Sequence, residues 1–296
     1  MKGVPIAKSQ IKNTPKVPAP QVPALVIHTV SISKHCTGSR WTVANIDHLA
    51  RIIAIVTMGQ ARHAACIIAE LLPSKAAIGH AVLRADAKRR LSIAVGNDKQ
   101  REVSRYHRDG LIFECISWAA AQQATGGKAL IRDPHLSSTN QGLDGLMIEI
   151  SESGSVITRA TIFEDKCSEH PRTKFRDEIM PAFKAHHEDK RASDLLATAA
   201  ALIARIGLSG TDAIKAAACV MDKKCRVYRG GLAVTRADDS AEKRRALFKD
   251  YEKLKGIGPD QRVGATLITS DDLRAWFQEL ADKAIEYIDT MDTGDL

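Results

Sequence analysis

The chain of 296 residues carries 43 Lys and Arg against 35 Asp and Glu, a formal charge of +8, with 44% hydrophobic and 4% aromatic residues. That content supports one large or two modest domains with a true core, and no apolar run reaches membrane-spanning length, so no membrane is expected among its partners. The six cysteines (Cys36, Cys66, Cys115, Cys167, Cys219 and Cys225) are scattered without a Cys-x-x-Cys pair and follow no secretory signal; a reduced, cytoplasmic setting is expected.

In chain order, residues 1–24 hold Pro5, Pro15, Pro18, Pro20 and Pro23, which forbid a regular helix and predict a disordered basic tail. No Asp or Glu precedes Asp47, whereas Lys2, Lys8, Lys12, Lys16, Lys34 and Arg40 do, so six of the eight surplus positive charges lie before Asp47 and the remaining chain is nearly neutral. Residues 25–33 read as a strand. Residues 45–72 carry apolar positions at helical spacing, Pro73 ends that run, and residues 75–90 begin another helix. The polar stretch 91–105, with Gly96-Asn97-Asp98, reads as a junction between a mostly helical module, 25–105, and an α/β domain, 106–296.

Residues 106–124 open on the turn-like Arg108-Asp109-Gly110 and continue with helical periodicity. Glu114 falls inside this apolar stretch, where an ionised carboxylate must be paired, hydrogen-bonded, metal-linked or turned to the wet side. A hairpin follows: Asp144-Gly145, an apolar run over 146–150, a turn over 151–155 containing Gly154, and a second run from Val156. Alternation along the second strand places Glu164 and Lys166 on one face and Asp165 on the other. Two carboxylates offer hard oxygen ligands to divalent cations, and a pair of such ions about 3.5–4 Å apart stabilises both the attacking and the leaving oxygen of a phosphodiester. Acid-x-Lys recurs at Asp86-Ala87-Lys88, Glu188-Asp189-Lys190 and Asp222-Lys223-Lys224, but in helical settings without an upstream acid.

Asp144 followed one hairpin later by Glu164-Asp165-Lys166 resembles the PD-(D/E)xK, or restriction-endonuclease-like, nuclease superfamily over roughly residues 106–191, with Leu143-Asp144 standing where Pro-Asp is the usual spelling. The resemblance implies a mixed central sheet flanked by helices, with helical extensions at both ends. It implies a Mg²⁺- or Mn²⁺-dependent endonuclease acting on DNA, with Asp144 and Glu164 as ligands, Lys166 as the water-positioning base, and Glu114 as an extra acid supplied by a preceding helix. The architecture also resembles nuclease effectors of bacterial anti-phage defence, among them the nuclease partner of the Hachiman helicase system, which implies a helicase-like partner or control by homo-oligomerisation. The competing readings are a non-catalytic module that binds protein or nucleic acid, and a nuclease directed at RNA.

Beyond the hairpin, residues 173–190 present Phe175, Ile179, Met180 and Phe183 on one stripe with Pro181 as a kink. Lys174, Arg176, Lys184 and Arg191 are the bases expected to reach backbone phosphates. Cys167, His170, His186 and His187 lack the second close pair of a structural zinc site, and Gly126-Gly127-Lys128 is no P-loop. Helices are expected over 193–206, 211–221 and 242–255 and from Ser270 onward, with a strand or hairpin around Gly230-Gly231 and a strand over 263–269.

Overall fold

The computed structural model describes residues 22–70, 79–136, 143–151, 157–207 and 210–291. The expected tail up to Gln21, the expected hairpin turn from Glu152 to Ser155, and Val156 lie outside them. The chain runs through β1 (Leu25–Ser33), β2 (Cys36–Val43), α1 (Ile46–Thr57), α2 (Ala61–Ile68), α3 (Ala81–Leu91), α4 (Asp98–Thr125), β3 (Leu130–Ile131), β4 (Gly145–Ile150) and β5 (Ile157–Cys167). It continues with α5 (Pro171–Lys174), a π turn (Phe175–Ile179), α6 (Met180–His187), α7 (Ala192–Ala204), α8 (Gly210–Ala218), β6 (Arg226–Val234), α9 (Ala241–Leu247), β7 (Arg262–Ile268) and α10 (Leu273–Thr290).

Among the described residues, seven strands form one mixed sheet in the order β1-β2-β7-β6-β5-β4-β3. Its centre, β2-β7-β6-β5, is parallel, and antiparallel pairs close both edges. Helices cover both faces, so side chains alternate between two cores. Phe163, Ala233, Leu267 and Trp41 enter the core shared with α1, α4 and α10, while Ile162, Leu232, Tyr228 and Ile268 enter the core shared with Phe175, Phe183 and α7. A strand buried on both faces reads as continuous rather than alternating hydropathy. This explains β6, where every residue from Arg226 to Val234 is buried.

Gly230-Gly231 is therefore no hairpin turn. A Cβ on Gly230 would stand 3.1 Å from Phe175 and 3.3 Å from Ile179, and one on Gly231 would collide with Asp165 Oδ1. The two glycines let the π turn press on one face of the sheet while Asp165 lies flat on the other. Pro181, which cannot donate to the carbonyl four residues back, is accommodated by that π turn immediately before it.

The expected junction at 91–105 also differs. Asn97 caps α4 by accepting from the Gln100 amide, and the Gln100 side chain accepts in return from the Asn97 amide. The polar stretch is thus the capped, exposed start of a 28-residue helix. The boundary at 105 falls inside α4, and β1 and β2 belong to the same sheet as the rest through the β2–β7 pairing. Polarity there marks a wet helix surface, which sequence alone does not distinguish from a linker.

Candidate active site

β4 and β5 pair antiparallel with Gly145 opposite Phe163, so Asp144 lies beside the end of the ladder near Glu164. Its Oδ2 accepts from the Asp165 backbone amide at 2.9 Å and from Lys166 Nζ at 2.9 Å. Lys166 Nζ also stands 3.6 Å from Glu164 Oε2. The three residues singled out from the hairpin, Asp144, Glu164 and Lys166, thus converge on one ammonium. Glu164 is 6% exposed against 25% for Asp144 and for Lys166, so the cluster runs from a buried acid outward.

His186 on α6 faces Glu164 from the second core, its Nε2 3.5 Å from Glu164 Oε1. Asp165 points to the opposite face, as alternation requires, but it is no idle neighbour. Its Oδ2 accepts from Ser117 of α4 at 2.5 Å and pairs with Arg229 at 3.3 Å. The Arg229 guanidinium in turn lies 3.4 Å from the Phe163 ring centroid. Arg229 donates to Ser117 as well, which ties α4, β5 and β6 together.

Glu114 sits on the α4 side of the cluster, where its Oε1 accepts from His135: Nδ1 lies at 2.8 Å and the backbone amide at 3.4 Å. The structure thus gives this buried acid a partner. Its charge is felt at Asp144 and Asp165, and burial followed by those neighbours raises its pKa, against the pull of His135. Burial likewise raises Glu164, with Asp144 adding to the rise and His186 and Lys166 opposing it. Burial by itself would lower the Lys166 pKa, but Asp144, Glu164 and Asp165 together carry it above the ordinary lysine value, so Nζ stays charged.

The cluster concentrates more carboxylate than its one ammonium neutralises. Asp144 and Glu164 supply hard oxygens, and Glu164 Oε1 is buried without a hydrogen-bond partner among the described residues. Among those residues no three His, Cys, Asp or Glu side chains gather into an all-protein metal cage. Two carboxylates suit Mg²⁺, which keeps several waters and takes its remaining oxygens from substrate phosphate.

The cluster opens at Asp144 and Lys166 into a groove of about 1060 Å³ that also takes in Glu114, His135 and one face of α4. Comparison with protein families, curated proteins and solved structures finds no match to this chain.

Of the four bases expected to reach phosphate, only Lys174 lines the groove, where it pairs with Glu178. Arg176 pairs with Asp177 and Lys184 with Glu188 on their own exposed helical surface, and Arg191 stands just before α7, all three outside the groove lining. They follow the helix that leaves the hairpin, but the groove opens toward α3 and α4. Beside Lys166, Lys174 and Arg108, its basic residues include Arg89, Arg90 and Lys99, which lie in segments that read from the sequence as helix surface or junction. His186 was legible only as a zinc candidate. Cys167, its supposed companion, instead lies 3.9 Å from Arg274, and His187 bonds the Tyr228 hydroxyl. Arg229 carried one signal in hindsight, a charge inside an apolar β6.

Proposed function

We propose that this chain is a Mg²⁺- or Mn²⁺-dependent nuclease that hydrolyses phosphodiester bonds in DNA, with the β4–β5 hairpin as a restriction-endonuclease-like catalytic core. The observation that carries the reading is the meeting of Asp144 and Glu164 on Lys166 Nζ, with Asp144 and Lys166 lining the inner end of a groove that also presents Arg89, Arg90 and Lys99. Asp144 and Glu164 would hold the metal. When bound, the metal lowers the pKa of a ligated water and offsets charge on the scissile phosphate.

The remaining work falls to the chain's own groups. The Asp165 amide fixes Asp144, leaving that carboxylate's other oxygen for a cation. Lys166 keeps its proton and donates hydrogen bonds, which suits it to orient water and to stabilise negative charge on phosphate rather than to remove a proton. His186 and the second core hold Glu164 in place and exclude water behind it. A role in anti-phage defence, with a partner protein restraining the nuclease, belongs to the same proposal and rests on the resemblance alone.

The test incubates purified protein with single-stranded and duplex DNA and with RNA, in Mg²⁺, Mn²⁺ or EDTA. Cutting of DNA that needs the metal and disappears in Glu164→Ala and Lys166→Ala supports the reading. Metal-independent cutting, or equal activity in both variants, overturns it; a preference for RNA overturns the choice of DNA.

A further inference from the structure

The groove has a polarity. Its outer half presents Arg89 and Arg90 from the last turn of α3 and Lys99 from the first turn of α4, and its inner end presents Glu114, Asp144 and Lys166. Asp86 pairs with both Arg89 and Arg90, so one carboxylate serves two guanidinium groups. The wall between the two ends is one face of α4, along which a stripe of residues runs from end to end. Lys99, Val103, Tyr106, Gly110 and Glu114 all line the groove and follow each other at three- and four-residue steps.

Two members of that stripe bear on what the groove can hold. Gly110 lies in the middle of α4, where glycine costs roughly 0.5–1 kcal/mol relative to alanine. A Cβ there would meet nothing within 4 Å among the described residues, so none of them demands the missing side chain. Tyr106 is 42% exposed, a large aromatic left open to the groove. Its ring is nonetheless held still: the hydroxyl donates to Glu102 Oε1 at 2.9 Å, and the Arg274 guanidinium lies 4.5 Å from the ring centroid. A fixed aromatic costs little entropy when a base stacks on it. Duplex bases offer no free face to such a ring, whereas single-stranded bases do.

We infer that this groove seats a single strand of nucleic acid, with phosphates on Arg89, Arg90 and Lys99, a base stacked against Tyr106, and the backbone passing over bare Gly110 to the acids at the inner end. The inference rests on the nuclease reading and extends it, because it states how the substrate reaches the site and in what form. The acidic inner end would repel a polyanion, and the basic outer half with the stacked base holds the strand there until a cation balances the charge.

The test measures binding rather than cleavage, so the two claims fail separately. Fluorescence anisotropy with a labelled oligodeoxythymidylate and a duplex of equal length, in EDTA, reads the groove without any cutting. The single strand is expected to bind about tenfold or more tightly than the duplex. Tyr106→Ala should weaken it about tenfold and Tyr106→Phe much less. Arg89→Ala/Arg90→Ala/Lys99→Ala should reduce the salt dependence by about two in log–log slope, since each lost phosphate contact removes about 0.7.

Gly110→Trp supplies a second variant, at a position where a Cβ would meet none of the described residues within 4 Å. It should block the strand and weaken binding at least tenfold while the melting temperature stays at or above that of wild type. Equal or tighter binding of duplex, or unchanged affinity in both Tyr106→Ala and Gly110→Trp, overturns the inference. Cleavage that survives those outcomes would leave the nuclease proposal standing without it.

Discussion

Glu164 and Asp165 are chain neighbours with opposite duties, and the difference lies in what surrounds them. Alternation makes Asp165 look dispensable, yet it is buried against Arg229 and Ser117. Removing one partner of a buried ion pair strands the other and costs about 3–5 kcal/mol. Asp165→Ala is therefore expected to lose about that much stability in a denaturant titration, so any fall in its activity follows unfolding rather than loss of a ligand. Glu164 behaves in the opposite way. Its raised pKa means that the folded, metal-free protein disfavours the ionised form. Below the ordinary glutamate range both folded and unfolded states are protonated and the group contributes nothing. As pH rises from that range through the raised folded value, the unfolded state ionises first and stability is lost. Glu164→Gln does not titrate, so in EDTA it should melt above wild type by a margin that grows from acid to neutral pH. Added Mg²⁺ should raise the wild-type melting temperature and leave that of Glu164→Gln nearly unchanged. A wild-type advantage at neutral pH in EDTA would contradict this.

At the scale of elements, the central strand β6 carries the tightest packing constraints. Gly231→Ala places a methyl group on the Asp165 carboxylate, and neither the strand nor a carboxylate held by Arg229 can move aside cheaply. Gly230→Ala meets Phe175 and Ile179 at distances that require shifts of a few tenths of an ångström. Overpacking of this kind typically costs about 1–3 kcal/mol. Gly230→Ala should fall within that range by chemical denaturation and Gly231→Ala at or above its upper end. Equal, small effects would mean that the sheet and the π turn pack less closely than their geometry requires. In α4 the same substitution has the opposite sign: Gly110→Ala fills open space in a helix interior and should add about 0.5–1 kcal/mol.

Across the whole molecule, the parallel β2–β7 pairing joins the first strands to the last one, and α4 packs against α1, α2, β5 and α10. A fragment covering 106–296 lacks β1, β2, α1 and the first turns of α4, which exposes the core that includes Phe113, Leu267 and Phe277. It is expected to be insoluble or to show no cooperative melting. Removal of residues 1–21 is different, because among the described residues burial begins at Ala24, whose carbonyl accepts from the Ala44 and Asn45 amides. That truncation should leave the melting temperature unchanged, whereas removal through Ser33 takes away β1 and should lower it by several degrees. Cooperative folding of the 106–296 fragment would mean that the two portions are separable after all.

Local rules were enough to read the hairpin. Alternation about Glu164 and a spacing that returns the chain to Asp144 follow from strand geometry, which is why the convergence on Lys166 was legible in residue order. The strand at Leu25–Ser33 and the final helix were legible for the same reason, since hydrophobic period reports a buried face directly. What period cannot report is which surface meets which. The polar start of α4 resembles a linker because a capped, wet helix and a linker use the same residues, and Gly230-Gly231 resembles a turn because glycine also marks close approach. His186, Ser117 and Arg229 reach the site from other elements, at sequence distances no local pattern spans. The side of the sheet on which the groove opens, and hence which bases line it, depends on packing α3 and α4 against α10, an interaction that exists only once the chain has folded.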